Sequence, residues 1–180
     1  MEEITQREID FQTACKEALN IVRFEEEFSF EGQRFIIMEH MDGGDLQQIL
    51  ALRNYEPLPV AIAQSVTYQI GQALKFLHTR QIIHRDLKLE NVMFSSKDDL
   101  SCDVKLIDFG LAEVVQKVAP TKAAMRGTIG YIAPEILDGN AYGTKSDVWS
   151  LGCLLHAMLT VKFPFEIHVL EEESKSGESV

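Results

Sequence analysis

The chain is poor in cysteine, and the cysteines it has are scattered. Cys15, Cys102 and Cys153 are the three among its 180 residues, and no two of them form a C-x-x-C pair. This spacing argues against a disulfide framework and against a cysteine-rich zinc site, and it is typical of reduced thiols inside the cell. We therefore expect a cytoplasmic protein, with the nucleus as an alternative location.

Long apolar runs and positive charge are also scarce. The longest uncharged, mostly apolar run covers residues 148–161, which is too short to span a bilayer and predicts a buried helix. The first residues, Met1-Glu2-Glu3, are acidic and lack the apolar core of a secretion signal. A net charge of −11 leaves no basic face for nucleic acid. We expect neither a membrane partner nor a nucleic-acid partner.

What the chain does contain is typical of one globular domain with mixed secondary structure. Hydrophobic residues make up 46% and charged residues 25%, which is enough to form a buried core. Helical spacing, turn residues and β-rich runs predict helices and strands in alternation. The predicted helices cover residues 3–17, a short stretch capped by Asp45 that runs through Leu52, a longer stretch that begins after Pro59 and includes Ile62 to Leu77, and residues 148–161. The predicted strands cover residues 21–30, 34–38, 92–94 and 104–107, and residues 111–132 are predicted to be mostly irregular.

Four short motifs between residues 84 and 152 carry the chemistry. Residues 84–91 read H-R-D-L-K-L-E-N, and Asp108-Phe109-Gly110 closes the later apolar run 104–107. Residues 133–135 read A-P-E, and residues 147–152 read D-V-W-S-L-G. In order and spacing these motifs resemble the second half of a eukaryotic protein kinase domain. The resemblance covers about residues 3–165.

The resemblance also indicates a branch and an architecture. Lys88 and Thr128 resemble the serine/threonine branch, and the finer likeness is to calcium/calmodulin-dependent kinases. The resemblance implies an α+β, two-lobe kinase-like fold made mostly of the helical C-lobe. Residues 1–44 would form a reduced N-lobe and the hinge, with one helix and a two-stranded hairpin. Residues 45–165 would form an incomplete C-lobe, and the acidic residues 166–180 a disordered tail.

The family assigns roles in phosphoryl transfer from ATP to the residues that match its motifs. By resemblance, Asp86 is the catalytic base and Lys88 contacts the transferring phosphate. Asn91 and Asp108 bind the nucleotide through Mg²⁺, as hard oxygen ligands. The remaining nucleotide contacts are assigned to Glu39 and Met41 in the hinge and to Met93 in the floor beneath the base. The hinge is expected to bind adenine through its backbone, so the identity of its side chains matters little for that contact.

Other matches concern support and substrate. His84 resembles a structural histidine packed beneath Phe109, and Asp147 resembles the aspartate that anchors the catalytic loop. The expected partner is a protein with a Ser or Thr acceptor. Asp45 and Glu90 occupy positions that often read basic side chains before that acceptor, although a helix cap and a solvated loop charge explain them equally well.

The chain also departs from the family pattern. No G-x-G-x-x-G loop and no V-A-I-K lysine precede residue 38. Glu8 resembles the glutamate that pairs with that lysine, and without the partner we expect it to be an exposed helix acid. The sequence therefore predicts a serine/threonine kinase in truncated form. Two alternatives stay open, a noncatalytic kinase-like interaction module and a chain without a stable fold.

Overall fold

A computed structural model describes residues 2–97, 99–100, 103–115 and 127–165 of the chain. Helices and small antiparallel sheets alternate along it, as an α+β fold requires. The helices are α1 (Glu2–Ala14), α2 (Leu46–Leu52), α3 (Val60–Thr79), α4 (Pro134–Leu137) and α5 (Thr144–Thr160). The strands are β1 (Phe24–Phe30), β2 (Gln33–Met38), β3 (Ile82–Ile83), β4 (Val92–Phe94), β5 (Val104–Leu106) and β6 (Glu113–Val114).

The core is centred on α3 and α5, which pack against each other. Helical spacing puts the apolar residues of α3 on one face, and Val66, Ile70, Leu74 and Leu77 are all buried as that spacing predicted. The matching buried residues of α5 include Cys153, a free thiol. No helix among the described residues combines the length and apolar character needed to cross a membrane.

The segment before the core is a helix followed by a β-hairpin. β1 and β2 are antiparallel, and the turn between them uses the left-handed backbone of Glu31 (φ 49°) and Gly32 (φ 76°), where the sequence predicted it. The strand begins later than the predicted residue 21, because Ile21 instead forms a parallel bridge with Leu106 in β5. This bridge joins the segment just before β1 to β5, the strand that leads into Asp108.

After β2 the chain runs close against β4. Gly43 donates its N–H to the carbonyl of Phe94 at 3.0 Å. A Cβ on Gly43 would lie 2.5 Å from the Cβ of Phe94, so only glycine allows this approach. Asp45 then caps α2 by accepting a hydrogen bond from Gln48 N at 2.8 Å, which confirms the predicted helix start.

Two short sheets frame the loops that follow α3. β4 pairs with β5, and the register sets Met93 opposite Lys105. β3 pairs with β6, with Ile82 opposite Val114. Within residues 111–132, which the sequence predicted to be mostly irregular, β6 is a two-residue strand that has no sequence pattern of its own and forms where β3 lies beside it. The predicted tail, residues 166–180, lies outside the described residues, as do Cys102 and residues 116–126.

Candidate active site

The loop between β3 and β4 is anchored by one buried carboxylate. Asp147, in the first turn of α5, accepts hydrogen bonds from the N–H groups of His84 and Arg85, each at 3.0 Å. His78 Nε2 lies 2.8 Å from the same carboxylate. Arg85 has a φ of 70°, so the chain turns sharply there, and the anchored amides fix that turn. The anchoring role that the sequence predicted for Asp147 is confirmed.

His84 supports the loop from inside the core. Its ring is fully buried and meets the ring of Phe109 edge-on, with 5.2 Å between centroids. His84 Nε2 lies 3.1 Å from the carbonyl oxygen of Ile107, which fixes the ring further. The predicted structural role of His84 is confirmed, and the contact links residues 84–91 to Asp108-Phe109-Gly110.

Asp86 is the centre of a compact polar cluster. Its Oδ2 accepts a hydrogen bond from Lys88 Nζ at 2.8 Å, and its Oδ1 accepts one from the hydroxyl of Thr128, also at 2.8 Å. Lys88 Nζ also donates to Thr128 Oγ1 at 3.2 Å. Asp86 is only 8% exposed, so these contacts hold its side chain in one orientation.

Thr128 was used in the sequence only as a branch marker, and its place in this cluster was missed. Gly127, just before it, has a φ of 112°, and a Cβ there would lie 2.7 Å from the carbonyl oxygen of Arg85. The glycine therefore allows residues 127–128 to lie against the catalytic loop. The G-T pair was the available sequence signal, but only the fold shows which carboxylate the threonine meets.

Lys88 keeps its positive charge at this site. Burial lowers the pKa of its amine, but the hydrogen bond and charge of Asp86, with smaller contributions from Glu90 and Asp108, outweigh burial and raise the pKa above its usual value. The side chain is therefore an ammonium at neutral pH. A fixed point charge of this kind suits a phosphate group.

Asn91 and Asp108 lie at adjacent ends of the β4–β5 ladder. Ile107 N donates to the carbonyl of Asn91 at 2.9 Å, which brings Asn91 beside the residue that precedes Asp108. Asn91 Nδ2 donates to the backbone carbonyl of Asp86 at 2.8 Å, so the amide oxygen is the atom left for a ligand. Asp108 is exposed, and only its Oδ1 accepts a described hydrogen bond, from Gly110 N at 3.0 Å.

This pair of oxygen donors fits Mg²⁺. The ion favours carboxylate and carbonyl oxygens, and it usually takes one or two protein ligands together with substrate phosphates. When bound, Mg²⁺ would offset the negative charge of those phosphates. Asn91 and Asp108 are the residues that would hold it.

A cleft of about 590 Å³ lies next to Asp108. Its apolar lining includes Met41 and Met93, which were assigned to the hinge and floor, together with Met38, Val22 and Ile107. An apolar, concave lining with a few polar groups at its rim is the usual form of a small-molecule site. The predicted nucleotide residues Glu39, Met41, Met93 and Asp108 are therefore brought together in one cleft.

The side chain of Glu39 makes contacts that the sequence did not predict, since the hinge was expected to act through its backbone. Glu39 Oε1 in fact accepts hydrogen bonds from Lys105 Nζ at 2.5 Å and from Arg23 N at 2.6 Å. Burial acts to raise the pKa of Glu39, but these two donors outweigh it and lower the pKa. Lys105 was missed because no local pattern links two residues 66 positions apart.

Glu8 corrects an expectation drawn from the sequence. It is half-buried rather than exposed, and it lines the cleft together with Asp108. Burial raises the pKa of Glu8 above its ordinary value of 4.5, and the nearby negative charge of Asp108 raises it further. α1 buries Ile9, Phe11 and Gln12, and this packing turns Glu8 toward the cleft.

The raised pKa of Glu8 predicts a pH-dependent effect on stability. A raised folded-state pKa contributes stability that is fully present below the unfolded value, near pH 4.5, and that is lost as pH rises through the folded pKa. Glu8→Gln should therefore be more stable than the parent chain at pH 7, and its advantage should shrink at pH 4. Urea unfolding at both pH values measures this, with exposed Glu17→Gln as the control. An equal difference at both pH values would contradict the assignment.

Comparison with known proteins agrees with this geometry. A family model described as protein kinase domain matches residues 1–178. The chain therefore belongs to the protein kinase family, whose members use ATP and typically Mg²⁺, and its relatives place it in the serine/threonine branch.

Three relatives illustrate the match. The chain is 36% identical to the serine/threonine-protein kinase Nek3 of Mus musculus, over 92% of this chain and 33% of that protein. It is 38% identical to Nek5 of Homo sapiens, over 85% and 21% of the two chains. It is 35% identical to the serine/threonine-protein kinase cds1 of Schizosaccharomyces pombe, over 91% and 35%. The chain thus spans about a third or less of the length of these curated relatives, and they do not confirm a likeness to calcium/calmodulin-dependent kinases.

Proposed function

We propose that this chain transfers the γ-phosphoryl group of ATP to a serine or threonine hydroxyl of a protein substrate. The observation that carries the proposal is the cluster of Asp86, Lys88 and Thr128, together with an apolar cleft whose lining includes Asp108. Phosphoryl transfer needs an oriented hydroxyl, charge stabilisation and metal ligands rather than covalent chemistry by the protein. In this proposal, Asp86, Lys88 and the pair of Asn91 and Asp108 meet these three needs in turn.

In this proposal the roles follow from what each side chain can do. Asp86 accepts the hydrogen bond of the substrate hydroxyl and orients its oxygen toward the phosphorus. Lys88 offsets the charge that develops on the transferring group. Asn91 and Asp108 hold the metal ion, and the backbone of Glu39 and Met41 binds the adenine base above Met93.

The same proposal divides the chain into two lobes that meet at the cleft. Residues 1–44 would form the smaller lobe, with α1, the β1–β2 hairpin and the hinge. Residues 45–165 would form the larger, mostly helical lobe. The hairpin supports this division, because β1 is almost entirely exposed and no residue of β1 or β2 belongs to the main buried core.

We also propose that the substrate carries basic side chains before its acceptor. Glu90 is exposed on the 3₁₀ turn Leu89–Asn91, between Lys88 and the metal ligand Asn91. One carboxylate oxygen of Asp45 already accepts the hydrogen bond that caps α2, so this side chain is less available to a substrate. Glu90 is therefore the carboxylate that we assign to a substrate arginine or lysine.

Peptide phosphorylation tests both proposals. We expect magnesium-dependent transfer to Ser and Thr peptides and much slower transfer to Tyr peptides. Glu90→Gln should reduce transfer to an arginine-containing peptide by about fivefold, the value of one exposed ion pair, and should leave an arginine-free peptide unaffected. Glu56→Gln, an exposed glutamate in the α2–α3 loop, is the matched control. Equal losses on both peptides would contradict the role of Glu90, whereas no transfer to any peptide would contradict the proposed activity.

A further inference from the structure

The hinge residue Glu39 is held by three contacts that the reaction scheme does not use. Its N–H donates to the carbonyl of Arg23 at 3.0 Å, and the N–H of Arg23 returns a bond to Glu39 Oε1 at 2.6 Å. Lys105 Nζ reaches the same carboxylate oxygen at 2.5 Å. The guanidinium of Arg23 is directed elsewhere, since its Nε donates to Glu25 at 2.8 Å. Lys105 is therefore the ammonium group in contact with Glu39.

Lys105 comes from a part of the chain that also builds the floor of the cleft. It lies on β5 between Val104 and Leu106, both fully buried, so its side chain leaves the opposite face of the strand. In the β4–β5 register Lys105 stands opposite Met93, so the two side chains share that face. Met93 lines the cleft, and Asp108 follows Lys105 by three positions.

The ion pair between Lys105 and Glu39 is shielded from water. The side chains are only 18% and 17% exposed, whereas the nearby pair of Lys97 and Asp42 is 65% and 55% exposed and spans 3.7 Å. A shielded pair is screened less by salt and water than an exposed one. Removal of one partner leaves the other charge unpaired in a partly buried position, which costs more than the loss of an exposed contact.

We propose that Lys105 is a positioning residue for the adenine end of the site, because its ion pair with Glu39 fixes the hinge backbone over the Met93 floor. The inference rests on the proposed function, since it names the base-binding segment of that same cleft. Lys105 touches neither the base nor the phosphates in this account. It acts through Glu39, whose neighbouring backbone is the part that meets the base.

The test compares four variants: Lys105→Met, Glu39→Gln, the double variant Glu39→Gln/Lys105→Met, and Lys97→Met as the matched control. We measure the affinity of the full chain for adenosine without magnesium by calorimetry. Lys105→Met should bind adenosine about tenfold more weakly, because it leaves the Glu39 carboxylate without its ammonium partner. The double variant should regain most of that loss, since glutamine carries no charge and still offers an oxygen to Arg23 N. Lys97→Met should bind as the parent chain does.

Two further readouts separate positioning from a general loss of structure. Amide hydrogen exchange of residues 39–41, measured without nucleotide, should be faster in Lys105→Met and close to the parent in the double variant. The factor by which magnesium strengthens ATP binding should be unchanged in Lys105→Met, because the described contact of the Lys105 ammonium is with Glu39 and not with Asn91 or Asp108.

Each outcome decides the question. Unchanged hinge exchange in Lys105→Met would overturn the inference, and so would faster exchange with unchanged adenosine affinity. A double variant no better than Lys105→Met would also overturn it, because the stranded charge would then not be the cause. If the parent chain bound neither adenosine nor ATP, the proposed function and the base-binding role would fail together. Hinge exchange would in that case still decide whether Lys105 orders the hinge.

Discussion

Asp86→Asn should lower the rate of phosphoryl transfer by a factor of about 10² to 10⁴, the usual contribution of a positioned acid–base group. In the structure Asp86 receives hydrogen bonds from both Lys88 and Thr128, so its carboxylate is fixed where a substrate hydroxyl would meet it. Asparagine keeps the size of the side chain but loses the negative charge. One of its two polar atoms also becomes a donor, so the side chain can no longer accept hydrogen bonds from both Lys88 and Thr128.

Nucleotide binding separates this loss from misfolding. Asp86 does not line the apolar cleft, so Asp86→Asn should bind an ATP analogue within about twofold of the parent chain. A steady-state transfer assay and an equilibrium binding assay on the same preparation measure the two quantities. A transfer rate within tenfold of the parent would contradict the assigned role of Asp86.

Asp147→Ala should cost about 3–5 kcal/mol of unfolding free energy, as the loss of one partner of a buried charged network does. The carboxylate of Asp147 is 1% exposed and satisfies the N–H groups of His84 and Arg85. Alanine would leave both amides without an acceptor, and each unsatisfied buried group costs about 1–3 kcal/mol. His78 would lose its partner as well.

Asp45→Ala is the control for Asp147→Ala, because it removes an aspartate that makes one local contact. Loss of this N-cap, which accepts only from Gln48 N among the described contacts, should cost about 1 kcal/mol. Urea unfolding followed by circular dichroism measures both variants. A cost for Asp147→Ala no larger than that for Asp45→Ala would contradict the anchoring role.

The elements that the sequence predicted well are those specified by local patterns. The spacing of Val66, Ile70 and Leu74 defined the buried face of α3, and Asp45 marked the start of α2. The turn at Glu31-Gly32 defined the first hairpin. In each case the residues that form the pattern are neighbours along the chain, so the sequence contains the whole signal.

The predictions that failed concern pairs of residues brought together by the fold. Glu8 was expected to be exposed, but the packing of α1 turns it toward Asp108. The contact between the Glu39 side chain and Lys105 was not predicted, because β5 brings the two residues together only in the fold. The motif located Asp86, Lys88 and Asn91, because their loop is continuous in sequence, but it did not place Thr128 beside them. Motifs could not locate contacts that depend on the packing of separate elements.

The central claim is that Asp108 and the adjoining cleft hold a magnesium–nucleotide complex. Binding of a fluorescent ATP analogue, titrated with and without magnesium, tests it most directly, with Asp108→Ala as the paired variant. The account predicts that magnesium strengthens binding to the parent chain and that this strengthening is absent from Asp108→Ala. A folded parent chain that binds the analogue equally with and without magnesium, or does not bind it, would contradict the claim.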